Sequence, residues 1–317
     1  MRLAILDDYQ KAVLTLADWD SLGRGIAVQA FHDWLGDENA LAERLRDYEI
    51  IVAMRERTRF SRTLLERLPK LKLLVTTGMR NVAIDVKAAA EMGILVTGTS
   101  LLTHPTAELT WGLILSLARN IPFEHQAMRQ GGWQTTMGIG VNGKVLGVVG
   151  LGKLGSEVAR IGKAFQMEVI AWSQNLTAER AEAIGVRCVE KEELFRTAHF
   201  VTIHLVLSKR TRGLVGEAEL AMMKPTAFLI NTSRGPIVDE AALLTSLEER
   251  KIAGAGIDVY DHEPLPADHP FRKLDNIVHT PHLGYVTAEN YRRAYGEAVE
   301  DVRAFLAGSP IRVVVVS

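Results

Sequence analysis

The sequence predicts an α/β protein with two doubly wound parallel sheets, one domain inserted into the other. Three observations carry this. Short apolar runs alternate with helical patterns through the first hundred residues, the mark of parallel βαβ units. A second such series starts at Val145 and opens on "VLGVVGLGKLG", a strand running into Gly150, Gly152 and Gly155. A length of 317 residues suits about two domains.

Taken in order, the first strands are Leu3–Leu6, Ile26–Phe31, Ile50–Ala53, Leu73–Val75 and Ile94–Val96. Helical patterns lie between them, at Ala40–Arg46, Arg62–Arg67 and Asp85–Met92. Pro105 suits a helix's first turn. From there Leu109, Leu113, Ile114 and Leu117 recur at helical spacing, and one long helix is expected to about Arg129, before Gly131 and Gly132. The second series predicts strands at Val145–Val149, Glu168–Trp172, Phe200–His204, Ala227–Asn231, Gly254–Asp258 and Ile277–His279. Cys188 reads as a small strand-end residue. A last helix, Thr287 to Leu306, returns the chain to the first domain, followed by "IRVVVVS". The expected domains are therefore 1–99 with 286–317, and 100–285.

Composition narrows the partners. With 37 Lys+Arg against 38 Asp+Glu the net charge is -1, which gives no field to attract nucleic acid or an anionic membrane. One cysteine excludes an internal disulfide and a Cys-rich metal site, and suits a reducing compartment. The apolar start of the chain is too short for a signal-peptide core. The longest apolar stretch, Leu109 to Ala118, is bounded by Glu108 and Arg119 and is about half a membrane span. The expectation is a cytoplasmic protein.

Gly150-Leu151-Gly152-Lys153-Leu154-Gly155 fits G-x-G-x-x-G between a strand and a helix, the context of a Rossmann dinucleotide loop. The first glycine permits the tight turn, the second the approach of a pyrophosphate, and the third close packing of helix on strand. A ribose-binding acid is expected at the end of the next strand. Ser173 stands there instead, and no Asp or Glu follows before Glu179.

Three further motifs end strands of the second series, where an open parallel sheet binds its ligand. "NTSRGPIVDE" offers Arg234, "GAGIDVYDHEP" offers Asp258 and Glu263, and "TPHLGYVT" offers His282. Reduction of a keto acid needs a cation for the carboxylate, a proton donor for the carbonyl oxygen, and a group to tune that donor. Arg supplies a two-pronged fork. His gives and takes a proton near neutral pH, and a carboxylate on its other ring nitrogen orients it. Singly, each has an ordinary surface or turn reading; together, behind a dinucleotide loop, they form a site. Asp258, Asp261, His262, Glu263, Asp268 and His269 also permit a metal reading, but in a Pro-containing loop without a helical His pair no metal is expected. His204, ending a strand in "VTIHLVLSKRT", is expected to face the cofactor.

These motifs, with "MRERT", "TTGMRNVAID" and "PTAELTWGLILSLARN", resemble the D-isomer-specific 2-hydroxyacid dehydrogenase family in order along essentially the whole chain. The resemblance implies that Arg234 binds substrate, Glu263 tunes the histidine and His282 is the acid/base. It implies that Asp258 contacts the nicotinamide carboxamide and that Lys153 and Leu154 cover the pyrophosphate. Thr232 and Gly284 join Gly150, Gly152, Gly155, Ser173 and His204 in the expected cofactor set. Arg55 is placed to reach the substrate from the smaller domain, and the backbone N–H groups of Thr77 and Gly78 to hold its carboxylate. It also implies a homodimer built around residues 100–140. The chain departs from the family pattern at Met79 and Arg80, at Val206 where Pro is frequent, and at Tyr285 where a small residue is common. No regulatory extension is expected after the last helix.

The expected activity is NAD(P)H-dependent reduction of a small 2-keto acid to the D-2-hydroxy acid, and the reverse. The competing reading is a dinucleotide-sensing interaction protein of corepressor type on the same fold. A formate dehydrogenase fits less well, because that branch replaces the glutamate that stands here as Glu263. Without an acid at 173, NADPH is expected to serve at least as well as NADH. Arg180, or Lys209, Arg210 and Arg212, are the cations placed to meet a 2′-phosphate.

Overall fold

The computed structural model describes residues 1–315, so the last two residues of the expected 286–317 segment lie outside it. The chain divides into two compact units, Met1–Leu102 with Val286–Ser317, and Thr103–Tyr285.

The first unit is built on β1 (Arg2–Ile5), β2 (Ala27–Ala30), β3 (Ile50–Ala53), β4 (Leu73–Thr76) and β5 (Leu95–Gly98), in the order β2-β1-β3-β4-β5. All four pairings are parallel. β3 and β4 are buried along their whole length, as strands covered on both faces must be. Helix Ala288–Leu306 belongs to this unit and is capped by the Thr287 side chain on the Asn290 N–H. Beyond it the chain runs antiparallel beside β5, with Gly98 N–H on Arg312 O (3.1 Å) and Val314 N–H on Val96 O (2.9 Å).

The second unit carries β6 (Val145–Val149), β7 (Glu168–Trp172), β8 (Arg187–Cys188), β9 (Phe200–Ile203), β10 (Phe228–Asn231), β11 (Gly254–Ile257) and β12 (Ile277–His279). Their order is β12-β11-β10-β9-β6-β7-β8, again all parallel. Successive side chains go to opposite faces: Val149, Val201 and Leu229 enter one core, Val148, Phe200 and Ile230 the other. The order reverses between β6 and β9, and a crevice forms outside the strand ends at such a point.

One expectation needs correction. The long helix from Pro105 to Arg129 is two helices, His104–Ala118 and Ile121–Arg129. Asn120 adopts the left-handed conformation (φ 52°), and Pro122 has no N–H to continue the first helix. The strand β8 ends at Cys188, as its reading as a strand-end residue expects, but it is only two residues long, too short for any periodicity to give its bounds.

Candidate active site

The glycine loop fits a dinucleotide pyrophosphate by its packing. Gly150 has φ 102°, and a Cβ there would lie 2.7 Å from the His204 carbonyl oxygen. A Cβ on Gly155 would lie 2.0 Å from the Gly150 oxygen. Gly152 meets nothing within 4 Å. Two glycines are thus required by the protein's own backbone and the middle one opens onto empty space. Gly152 caps helix Lys153–Ala164, whose first N–H groups have no intrahelical partners and carry the positive end of the dipole. Lys153 is exposed and Leu154 half-buried beside it.

His204 follows β9. Its Nε2 lies 2.9 Å from Thr202 Oγ1, and burial pushes its pKa down to about 3, so the ring is neutral. Its buried Nδ1 has no hydrogen-bond partner. A polar atom left so beside the glycine loop is where a bound ligand would supply the missing contact. Thr232 is buried, with its hydroxyl 2.8 Å from that of Thr110.

The turn after β10 presents Arg234. Asn231 brackets it: its Nδ2 donates to Arg234 O (3.0 Å), and its Oδ1 accepts from Ser233 N–H (3.0 Å). The Ser233 hydroxyl donates to Leu205 O. The Arg234 guanidinium donates to Ser233 O at 2.7 Å. Next to it, a Cβ on Gly235 would fall 2.2 Å from Tyr260 O, so this turn lies directly on the loop after β11.

That loop holds Glu263. Its Oε1 accepts the Tyr260 N–H (2.9 Å), and its Oε2 lies 2.6 Å from His282 Nδ1. With Nδ1 engaged, Nε2 is the ring nitrogen left to exchange a proton. His282 sits at φ 54°, in the left-handed region that a non-glycine residue enters at a cost. Asp258 maintains it. Its Oδ1 accepts from Thr280 Oγ1 (2.5 Å) and Leu283 N–H (2.7 Å), and its Oδ2 from Gly284 N–H (2.9 Å). Burial raises the Asp258 pKa, against the lowering effect of those bonds and of His282. The fully buried carboxylate is therefore first a clasp on the 280–284 loop. Gly284 is fixed on both sides, its carbonyl accepting the Thr106 hydroxyl at 2.8 Å. Tyr285 stands edge-on to the His282 ring, centroids 5.4 Å apart.

In the first unit, Arg55 has φ 52°, its N–H donates to the Thr77 hydroxyl (2.9 Å), and its guanidinium pairs with Glu56 at 3.4 Å. Thr77 N–H donates to Ala53 O (3.0 Å), extending the sheet's hydrogen bonding past β4, and Gly78 N–H donates to the Thr99 side-chain hydroxyl (3.2 Å). Neither is open to a carboxylate in this arrangement.

Asn231, Tyr260 and Thr280 are the site residues that sequence reasoning missed. Asn231 carried a signal, a short polar side chain opening a turn; Tyr260 and Thr280 act through a backbone N–H and a hydroxyl, which leave no pattern. Among the described residues no group of three or more His, Cys, Asp or Glu side chains could hold a metal ion. Nor is any helix there long and apolar enough to cross a membrane.

Residues 111–284 match the family model described as D-isomer specific 2-hydroxyacid dehydrogenase, NAD binding domain. The chain belongs to the D-isomer specific 2-hydroxyacid dehydrogenase family. A relative named glyoxylate reductase, from Aeropyrum pernix, is 41% identical over 255 residues, covering 77% of this chain and 76% of the relative. A D-3-phosphoglycerate dehydrogenase from Methanocaldococcus jannaschii is 38% identical over 272 residues, 84% of this chain. The match spans 52% of that relative, so the chain corresponds to about half of the longer protein. Among solved structures, a phosphoglycerate oxidoreductase from Vibrio cholerae superposes with a TM-score of 0.93 at 35% identity, covering 97% of this chain and 99% of that one. The resemblance read from the motifs is thus borne out. The family supports a nicotinamide cofactor, and these relatives lend nothing to the corepressor reading.

Proposed function

We propose that the protein reduces a small 2-keto acid to its D-2-hydroxy acid with a nicotinamide cofactor, and catalyses the reverse. The single observation that carries this is the Glu263–His282 contact of 2.6 Å between the loops after β11 and β12, in a unit whose β10 turn presents Arg234 and whose first strand runs into a dinucleotide loop. A bound nicotinamide supplies the hydride. His282 Nε2 delivers the proton to the carbonyl oxygen, while Glu263 on Nδ1 orients the ring and stabilises its protonated form. Arg234 clamps the substrate carboxylate through its planar fork. Asp258 acts by holding the histidine loop, and its contact with the carboxamide is a further part of the proposal. Arg55 is a further residue proposed to bind substrate.

On cofactor choice, Ser173 offers no charge to repel a 2′-phosphate. Arg180 donates from Nη1 to the Asn175 carbonyl at 3.4 Å, which brings a cation to the loop after β7. Both support the acceptance of NADPH alongside NADH. On assembly, helix Ile121–Arg129 has no buried residue, yet Glu124 ties the following loop firmly, accepting from Thr135 and Thr136 through both N–H groups and both hydroxyls. Trp133 is 73% and Met137 94% exposed on this ordered arm. An ordered apolar arm of this kind supports a homodimer interface. The function is tested with a panel of 2-keto acids, NADH and NADPH, followed by chiral analysis of the product. Cofactor-dependent formation of a D-hydroxy acid is expected; an L product, or none, refutes the proposal.

A further inference from the structure

Behind Glu263 lies a second histidine–carboxylate pair that the proposed reaction does not use. Glu240 opens helix Glu240–Glu248, and its Oε1 lies 3.1 Å from His269 Nε2. His269 Nδ1 accepts the Phe271 N–H at 3.3 Å, so Nδ1 carries no proton and Nε2–H donates to Glu240. The Phe271 ring is buried and meets the imidazole edge-on at 4.9 Å, which fixes the ring plane. The other Glu240 oxygen accepts the Asp261 N–H at 3.4 Å. Asp261 follows Tyr260, whose N–H holds Glu263. One carboxylate therefore grips both ends of the 261–269 loop, and Glu263 lies between them.

We propose that Glu240 and His269 are positioning residues that hold Glu263 against His282 and thereby set the pH dependence of turnover. This rests on the reading of His282 as the acid/base. The charged and titratable groups facing the pair and its loop are Asp239, Tyr260, Asp261, His262, Arg272, His279 and Arg212, and Asp258 faces His282. Burial raises the Asp261 pKa, and the Glu240 charge adds to it. Arg272 grips the middle of the same loop, donating to Leu265 O (2.9 Å) and Pro266 O (2.8 Å), while Glu240 ties its two ends. Loss of the pair loosens the turn, the 2.6 Å contact lengthens, and His282 loses the carboxylate on its Nδ1.

The test compares His269→Ala, His269→Gln and Glu240→Gln with His282→Ala, by pH–rate profiles of keto-acid reduction and by cofactor binding. His269→Ala is expected to lower kcat by on the order of 10-fold, as displacement of a catalytic group does, with cofactor affinity unchanged. Its profile moves to lower pH. His269→Gln, whose amide N–H can still reach Glu240, restores most of the rate and the original profile. Should the alanine variant not fold, Glu240→Gln must displace the profile without lowering the unfolding midpoint. A wild-type profile in folded His269→Ala or Glu240→Gln overturns the inference, as does an equal loss in the Ala and Gln variants. An active His282→Ala removes instead the acid/base reading beneath it, so the two failures are distinguishable.

Discussion

Replacing Asp7 with Asn stabilises the first unit, and more so in mild base than in acid. Asp7 follows β1 with 2% of its surface exposed, and accepts the Thr58 hydroxyl at 2.7 Å. Burial raises its pKa from 3.8 to about 6, outweighing the Thr58 hydrogen bond and the charge of Arg57. The native state thus holds this proton more tightly than the unfolded chain. Its contribution to stability is full below the unfolded value and is lost as pH rises through about 6. About two units at 1.36 kcal/mol each place roughly 3 kcal/mol against folding at pH 8, and linkage gives about half of that at pH 5. Asn keeps an acceptor for Thr58, carries no charge, and tolerates the φ of 58° found here. Urea unfolding of Asp7→Asn and wild type at both pH values measures the difference. A gain of up to ~3 kcal/mol at pH 8 that shrinks by about half at pH 5 is expected. A loss of stability at both values would show that Arg57 holds the carboxylate in a favourable pair, and would refute the reasoning.

Three further outcomes follow from the same geometry. Gly155→Ala places a Cβ 2.0 Å from the Gly150 oxygen, so the loop must open; cofactor affinity, read by fluorescence titration, falls at least ~10-fold, the effect of losing about 1.4 kcal/mol. Ser173→Asp shifts the ratio of kcat/KM values towards NADH, because the new charge penalises only the phosphorylated cofactor; an unmoved ratio places the ribose elsewhere. Trp133→Glu puts a charge on the ordered apolar arm; the proposed interface predicts a dimer for the unaltered protein and a monomer for the variant by light scattering, and an identical mass for the two counts against it.

Much of this fold was legible because its strands are buried on both faces and read as apolar runs bounded by turns. Val145–Val149, Glu168–Trp172 and Ile277–His279 were read with the bounds they have. The break at Asn120 has a sequence signal in Pro122, but helical spacing of apolar residues continues across it and masks that signal. At the site, Arg234, Glu263 and His282 stand out because each lies in a loop that follows a strand of one sheet. Asp258 was seen as a ligand contact, while its burial under the 280–284 loop depends on packing that no pattern records. Thr77 and Gly78 were read by analogy of loop sequence; which N–H groups the sheet itself consumes is decided by β4's register with β3 and by the Thr99 hydroxyl. The Glu240–His269 pair joins residues 29 apart in the chain and has no local signature.

The central claim is that His282, held by Glu263, is the proton donor in reduction of a 2-keto acid. The most direct measurement is the single-turnover rate of NADH or NADPH oxidation with the best keto acid, in wild type and in His282→Ala, with cofactor binding measured on the same samples. The account predicts a loss of 10²–10⁴-fold in the chemical step, on the order of general acid–base catalysis, with cofactor affinity nearly unchanged. Equal rates in the two proteins would contradict it.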